Sequence, residues 1–532
     1  MGHLADAISS GDLATHTNAI AFPHGYNLLS FGHAGVQALG IPLILMGLSV
    51  GTAYNAIMLL SFTATGVCAH LFFHKLTQSH RAATVGAALF LYSPIFYGEM
   101  SAGCLELVAA WFIPLNGYMV LRICEAPSLK RSLQAAGVLG ITGLFNWYFT
   151  IFSGILALTF ICWQLAKRTP KGFTSSKFIL LALATAALVD LPLLPHVQRE
   201  TPSRPPISRA DFSPEQWVLS GEIANARLPL DELSSEVLLT HDNMQVVLNS
   251  TNIENLTSGH FSINPLESTP GRIAWIAGLA GLFVARKRGV PWAVMTAGFT
   301  TLTLGPYLLL NASPIVPDWS FQNPLPYEWL YNHMPMFSKA YRPYRIGFLT
   351  LLTLGSLGAI GFQVLQWKHK RLGALALFLI TATQPHWIDG DLSSRAMAST
   401  SVPDVYTELQ GQPDGALLEL PLLYQPTSAD AARTQYYQLT HGHPIVNSNQ
   451  LIRRTELPQF IEFIQSHQLL SYFASGNSSE DWVVTRDDFS QLRDAGVHYI
   501  SCQRGDTHSA LLEENLGPPV ITDGLTDIFL VQ

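Results

Sequence analysis

Long apolar segments alternate with short basic loops along most of this chain. Bilayer crossing needs roughly 20 apolar residues, and runs near this length predict spans near 52–73, 82–98, 103–122, 132–147, 148–166, 178–196, 271–286, 289–310, 344–366 and 372–388. Basic residues gather in every second connection: Lys75 and Arg81; Arg122, Lys130 and Arg131; Lys167, Arg168, Lys171 and Lys177; Arg286, Lys287 and Arg288; Lys368, Lys370 and Arg371. Because basic loops stay cytoplasmic, the alternation predicts an α-helical polytopic membrane protein of about ten helices.

The same charge rule divides the chain into three parts. We expect 1–51 to be an outer-face juxtamembrane segment, and 52–391 to be a transmembrane domain with outer loops at 197–270 and 311–343. The block 28–50 is apolar but interrupted by glycines and Pro42, so we interpret it as juxtamembrane or re-entrant. The remainder, 392–532, is then an extracytoplasmic domain.

This last domain carries mixed helix and strand patterns. Apolar runs at 416–423, 497–502 and 528–532 are typical of strands, and 456–473 has the apolar spacing of an amphipathic helix. We therefore predict a small α/β domain.

Composition excludes several classes of protein. Of the 532 residues, 48% are hydrophobic and 13% charged, whereas roughly a quarter are charged in soluble domains. The net charge of −7 and the scattered basic residues give no reason to expect a nucleic-acid partner. The five cysteines lack the spacing of a disulfide framework or metal site. The cytosolic loops are too short for a nucleotide-binding domain, which excludes an ATP-driven site there.

Acidic residues and histidines at the outer membrane edge are the first candidates for chemistry. Asp12, His16 and His24 lie in the amino-terminal segment, where they could hold a divalent cation such as Mg²⁺ or Mn²⁺, or supply a base. Glu99 lies in a tight outer turn and Glu106 one helical turn into the next span. An intramembrane glutamate favours a functional role. The alternatives are a solvated interfacial loop and carboxyl groups that reach water.

A basic cluster follows where the chain re-enters the membrane from outside. The cluster consists of Lys339, Arg342 and Arg345. It lies on the predicted outer face, although basic residues normally gather in cytoplasmic loops. Arginine suits bidentate phosphate recognition, and lipid phosphates lie at this depth. The alternative is snorkelling to lipid headgroups without specificity.

In layout, the chain resembles the bacterial C-type glycosyltransferase (GT-C) superfamily, particularly its members with a carboxy-terminal extracytoplasmic domain. Short motifs carry the resemblance in order through nearly the whole chain: Pro23-His24-Gly25, Ala53-Tyr54-Asn55, Ser93-Pro94, Trp111 to Pro114-Leu115, Pro326-Tyr327 to Pro335, Tyr341-Arg342-Pro343-Tyr344-Arg345, Leu418-Glu419-Leu420-Pro421, Tyr436-Tyr437 to His441-Gly442, and Gly496-Val497-His498-Tyr499.

The resemblance implies sugar transfer from a polyprenyl-phosphate donor on the outer face of a bacterial inner membrane, with 392–532 in the periplasm. In such enzymes acidic residues of the outer loops act as base or metal partner, and basic residues of later loops hold the lipid phosphate. The matching residues are Asp12, Glu99, Glu106, Arg342 and Arg345. The lipid donor and membrane lipids are the expected ligands.

One departure from the family pattern leaves other functions open. The usual first span and its acidic residue have no counterpart here, and an outer amino terminus without a signal peptide is difficult to insert. We expect that helix upstream of Met1 or on a partner subunit. A catalytically inactive scaffold in a larger membrane complex is thus the alternative, and a transporter is the third candidate.

Overall fold

The structure of the protein is a computed structural model. It describes residues 5, 16–27, 34–101, 104–191, 270–308, 324–334, 337, 342–365, 373–374, 377–381, 401–422, 429–447, 457–475 and 483–532.

Helices dominate the chain up to residue 365. After strands β1 (His16–Thr17) and β2 (Tyr26–Asn27) come α1 (Ala34–Leu45), α2 (Val50–Thr77), α3 (His80–Leu91), α4 (Pro94–Ser101), α5 (Leu105–Val108), α6 (Phe112–Glu125), α7 (Leu129–Phe145), α8 (Trp147–Ala166), α9 (Pro170–Asp190), α10 (Arg272–Ala285), α11 (Val290–Thr303), α12 (Pro326–His333) and α13 (Gly347–Val364). A 3₁₀ turn, Pro343–Ile346, leads into α13.

The carboxy-terminal part alternates helices and strands. Its elements are α14 (Asp404–Leu409), β3 (Ala416–Glu419), α15 (Ala429–His441), α16 (Leu457–Ser466), α17 (Gln468–Ser475), α18 (Arg486–Asp494), β4 (Val497–Gln503), α19 (Thr507–Leu516), β5 (Ile521–Thr522) and β6 (Thr526–Leu530).

The protein is an α-helical integral membrane protein with a small carboxy-terminal α/β sheet domain. Five helical segments of the described chain are long and apolar enough to cross a bilayer: Val50–Thr77, Leu105–Glu125, Trp147–Ala166, Pro170–Asp190 and Pro343–Val364. The other apolar helices are shorter, with 12 to 17 residues in α3, α7, α10 and α11. A count of ten spans therefore stays a prediction.

Polar residues set the first turns of several of these helices. The side chains of Ser49, Ser128, Asn146 and Thr169 accept hydrogen bonds from backbone N–H groups at the starts of α2, α7, α8 and α9. These groups have no partner inside a helix, so the caps stabilise each start. Two of the caps, Ser128 and Thr169, lie in the connections that carry predicted basic clusters.

The predicted span 82–98 is divided in the structure. Helix α3 ends at Leu91 and α4 begins at Pro94. Proline cannot donate a backbone hydrogen bond and its ring disfavours the helical conformation of the preceding residue, so the helix ends before it. The apolar pattern continues through the break, which is why hydrophobicity alone predicts one span. The separate α4 carries Glu99.

Helix α13 lies at the centre of the helical part, and 16 of its 18 residues are buried. Small residues let α10 approach it closely. A Cβ added at Gly281 would lie 2.1 Å from the carbonyl oxygen of Leu357, and one at Gly361 would lie 2.4 Å from Cα of Gly281. Such backbone contact is a common way for helices to associate within membranes.

The two ends of the helical part differ in charge arrangement. At one end, Lys75 of α2 pairs with Glu125 at the end of α6, with Nζ and Oε2 2.5 Å apart, and Arg131 lies 3.8 Å from the same oxygen. These residues belong to the basic loops. Helices α5 and α6 together form one segment of span length, Leu105–Glu125. Glu99 precedes this segment and Glu106 lies at its start, so both lie toward the end opposite Glu125.

The carboxy-terminal sheet has the strand order β3-β4-β6-β5. Strands β3 and β4 are parallel, and the other pairs are antiparallel. The predicted strands 416–423, 497–502 and 528–532 overlap β3, β4 and β6, while the predicted helix 456–473 is divided at His467 into α16 and α17.

The amino-terminal segment packs against this sheet domain. Ile20 forms a parallel bridge with Ile445, which also bridges Leu417 of β3. Two backbone hydrogen bonds secure the contact, from Phe22 N to Ile445 O at 3.0 Å and from Ile445 N to Ala19 O at 3.0 Å. The segment thus extends the sheet.

We predict that Gly281→Ala lowers the free energy of unfolding by about 2 kcal/mol, because its methyl group would overlap backbone atoms that cannot move independently. Gly298→Ala on α11 is the matched control, since no atom lies within 4 Å of the added Cβ. Thermal unfolding in detergent micelles measures both. Equal stability of the two variants would contradict the close packing of α10 on α13.

The docked amino-terminal segment and the basic loops also predict sidedness. In a background with the native cysteines replaced by alanine, a cysteine at exposed Gln410 should react with a membrane-impermeant maleimide in intact cells. A cysteine at exposed Lys130 should react only after permeabilisation. The reverse labelling pattern would overturn the predicted topology.

Candidate functional site

The 3₁₀ turn before α13 holds two polar side chains inside the helical part. Pro343 opens the turn, and Arg345 N donates to the carbonyl oxygen of Arg342 at 3.1 Å. In this tight conformation Tyr344 and Arg345 are 0% and 6% exposed. Buried arginines are rare unless paired, so the partner is the informative feature.

That partner is Glu99 on α4, which is 0% exposed. Tyr344 Oη donates to Glu99 Oε1 at 2.6 Å, and Arg345 Nε lies 3.2 Å from the same oxygen and 3.2 Å from Tyr344 Oη. The contact joins residues 246 positions apart in the chain. Glu99, Tyr344 and Arg345 form what we call the buried triad.

The second carboxyl oxygen of Glu99 is arranged differently. Oε2 is buried and has no hydrogen-bond partner among the described residues. A buried carboxylate needs compensation for lost hydration, and Arg345 provides it through one oxygen. The other oxygen stays available for a proton or a ligand.

Aromatic packing holds the arginine on its other side. The guanidinium carbon of Arg345 lies 4.9 Å from the ring centroid of Tyr148, within the range of a cation–π contact. Asn146 positions this tyrosine, because its side-chain oxygen accepts from Tyr148 N at 2.8 Å. Its Nδ2 donates to the carbonyl oxygen of Glu106 at 3.2 Å. One asparagine therefore links the start of α8 to α5.

Glu106 and Arg342 lie near the buried triad. The Cys104 thiol is within electrostatic range of Glu99, Glu106, Arg342 and Arg345. Glu106 and Arg342 are both half-buried. The structure therefore brings together four of the eight candidate residues, two acidic and two basic.

Of the other four candidates, the structure describes two. Asp12 and Lys339 fall outside the described residues. His16 Nε2 is 3.1 Å from the carbonyl oxygen of His24, and the His24 ring meets Phe463 edge-on, so both histidines belong to the segment docked on the sheet domain. Within the described ranges, no group of three or more His, Cys, Asp or Glu side chains is arranged to hold a metal.

Sequence reasoning missed three members of the site, Tyr344, Tyr148 and Cys104. Tyrosines and cysteines among apolar residues are ordinary, and no local signal distinguishes Tyr148 or Cys104. Tyr344 does stand between the two arginines of the motif 341–345, where proline predicts a turn. That combination is the one signal that could have identified it.

Comparisons with known proteins give remote likenesses. A family model described as a domain of unknown function (DUF6311) matches residues 47–196. The chain is similar to the Archaeoglobus fulgidus oligosaccharyltransferase, solved in complex with Zn and sulfate, at 10% identity and a TM-score of 0.44, covering 97% of this chain and 65% of that chain. It is also similar to ArnT from Cupriavidus metallidurans in the apo state, at 13% identity and a TM-score of 0.38, covering 99% and 91%.

The chain thus spans less than two thirds of the length of the oligosaccharyltransferase, at 65%. No curated protein matches it.

The hydrogen bond within the buried triad yields a stability prediction. Tyr344→Phe should lower the free energy of unfolding by about 1.5–3 kcal/mol, because a buried charged acceptor loses its donor. Tyr307→Phe is the control. It removes a similar bond to Glu328, 3.0 Å long, but Glu328 is half-buried and can turn to water. Unfolding in mixed detergent micelles should show the smaller loss for Tyr307→Phe; equal losses would contradict the assigned burial of the triad.

Proposed function

We propose that this protein is a membrane glycosyltransferase of the GT-C kind, which transfers a sugar from a polyprenyl-phosphate carrier at the outer face of the membrane. The observation that carries the proposal is Glu99, a fully buried carboxylate with one oxygen paired and the other without a partner among the described residues. The order of GT-C-like motifs along the sequence supports the same function.

Glu99 is the proposed base. Glycosyl transfer to a hydroxyl requires removal of the hydroxyl proton as the new bond forms, and a carboxylate within hydrogen-bond reach can accept it. Arg345 and Tyr344 fix Oε1 from one side, so they hold the carboxyl group in one orientation. Oε2 is then the atom that would face the acceptor.

The arginines are the proposed site for the lipid phosphate. Glu99 and Tyr344 are the described residues that hydrogen-bond Arg345, both through Nε. The two terminal amino groups of Arg345 therefore remain for a ligand. Arg342 adds a second guanidinium close by, and paired arginines suit a phosphate that gains charge as the sugar departs.

The charges at this site also bear on whether it binds a divalent cation. Among the described residues, Arg345 pairs with Glu99, and Arg342 and Glu106 lie within electrostatic range of the Cys104 thiol. Positive charge therefore already compensates the buried carboxylate, which is a poor setting for Mg²⁺ or Mn²⁺. The described residues of the site do not fit a metal, and no step of the proposed chemistry passes through one.

A scaffold without catalysis is the second candidate function. The observation in its favour is that the pair of Glu99 and Arg345 also joins α4 to the turn before α13. A purely structural protein could keep the pair for this reason. Partner subunits, including one that supplies a first helix, belong to this alternative.

An assay of donor consumption separates the two functions. Purified protein with a radiolabelled polyprenyl-phosphate sugar and membrane extract as acceptor should release the lipid phosphate. Glu99→Gln should lower the rate by about 10²–10⁴-fold, because the base is lost while the side-chain shape is kept.

Glu125→Gln is the matched control, since Glu125 also pairs with a basic side chain but at the opposite end of the helical part. It should retain full activity. A folded Glu99→Gln protein with wild-type turnover, or wild-type protein that consumes no donor and purifies with fixed partner subunits, would contradict the enzyme and favour the scaffold.

A further inference from the structure

A second group of buried polar side chains lies in the carboxy-terminal sheet domain, far along the chain from the buried triad. Glu419, the last residue of β3, is 5% exposed. Its Oε2 accepts from Tyr406 Oη at 3.3 Å, whereas Oε1 is buried and lacks a partner among the described residues. The side chain of Asn447 makes two hydrogen bonds to the backbone of Glu419: it accepts from Glu419 N at 2.9 Å and donates to Glu419 O at 2.8 Å.

Helix α15 contributes two more such groups. Gln438 and His441 are both 3% exposed and, three positions apart, lie on one face of the helix. Gln438 Oε1 and His441 Nε2 have no hydrogen-bond partner among the described residues. Since His441 Nδ1 accepts from His443 N at 3.1 Å, the neutral ring carries its proton on Nε2. His441 therefore offers a donor and Gln438 an acceptor.

Tyr406 connects the two sets. Its hydroxyl bonds Glu419, and its ring stacks against Tyr437 at 4.7 Å and against His441 at 5.7 Å between centroids. The parallel pairing of β3 with β4 sets Glu419 beside Ser501. Glu419 thus lies at the carboxyl end of β3, and the carboxyl ends of parallel strands form the edge at which α/β sheets usually bind ligands.

Three unsatisfied buried groups within one small domain call for an explanation, because nearly all buried polar atoms in native proteins have partners. An anion would meet the acceptor oxygens of Gln438 and Glu419. A cation would meet the N–H group of His441. A ligand with several hydroxyl groups supplies more than one donor as well as acceptors, so it can satisfy the whole set.

We propose that the cluster of Tyr406, Glu419, Gln438 and His441 binds a neutral hydroxyl-bearing ligand, and that this ligand is a sugar residue. The half-buried ring of Tyr437, whose centroid is 4.7 Å from that of Tyr406, adds aromatic surface beside the cluster. This site is separate from the buried triad and does not depend on the proposed transferase activity.

Titration supports the neutral character of the site. Burial raises the pKa of Glu419 to about 8, partly offset by the hydrogen bond from Tyr406. Burial, with a smaller effect of His443, lowers the pKa of His441 to about 4. Both side chains are therefore uncharged at neutral pH, and the protonated carboxyl of Glu419 can donate as well as accept.

Saturation-transfer NMR on the full-length protein in detergent tests the proposal. The probes are the methyl α-glycosides of glucose, mannose and galactose, with glucosamine and glucuronic acid as cationic and anionic counterparts. At least one neutral glycoside should show saturation transfer. Gln438→Leu should weaken its binding about tenfold, the effect of one lost buried hydrogen bond.

Three further variants serve as controls or as a replacement for Gln438→Leu. Gln410→Leu, at an exposed position beside α14, should bind like wild type. Glu419→Gln should bind within about threefold, because the amide imitates the neutral carboxyl. If Gln438→Leu does not fold, His441→Phe replaces it, since phenylalanine keeps the ring against Tyr406 but removes the N–H donor.

Binding that survives in Glu99→Gln but not in Gln438→Leu separates this site from the proposed transferase site. The proposal is overturned if no neutral glycoside gives saturation transfer, which is the result expected if the site holds only water. It is equally overturned if Gln438→Leu and His441→Phe bind like wild type, or if a charged sugar binds more tightly than its neutral counterpart.

Discussion

The ion pair between Glu99 and Arg345 is the constraint on which the rest of this site depends. Both side chains are almost fully removed from solvent, and neither charge would be tolerated there alone. Pairing fixes α4 against the turn that begins α13, although the two are 246 residues apart in the chain.

The surroundings of the pair explain how it is kept in place. Helix α13 is buried by neighbours that approach through glycines, as at Gly281 and Gly361, so the turn before it cannot shift without disturbing the whole helical part. Asn146 connects Tyr148 to α5. Its side chain accepts a hydrogen bond from Tyr148 N at the start of α8 and donates one to the carbonyl oxygen of Glu106. A few hydrogen bonds thereby organise residues from four separate segments.

Hydrophobic pattern predicted the helices well because it reflects local chemistry. The predicted span 148–166 corresponds to Trp147–Ala166, and the predicted strand 497–502 to Val497–Gln503. Failures came where distant contacts or backbone chemistry decide. The break at Pro94 interrupts an unbroken apolar run, and the bridge of Ile20 with Ile445 joins segments that carry no common signal.

The candidate site divides in the same way. Charged residues in apolar surroundings are conspicuous, which is why Glu99, Glu106, Arg342 and Arg345 could be predicted before their proximity was known. Tyr148 could not, because a tyrosine among apolar residues is ordinary until its neighbours are known. Glu419 shows the same limit, since its sequence predicts a strand residue and only the fold reveals its unpartnered oxygen.

A double-mutant cycle on Glu99 and Arg345 tests the central claim most directly. Unfolding free energies would be measured for Glu99→Gln, Arg345→Met and the double variant. If the buried pair organises this end of the protein, each single change costs about 3–5 kcal/mol, because it leaves a buried charge uncompensated, and the double variant is less destabilised than the sum of the two. Strictly additive losses would show that the two residues do not depend on each other, and would contradict the account.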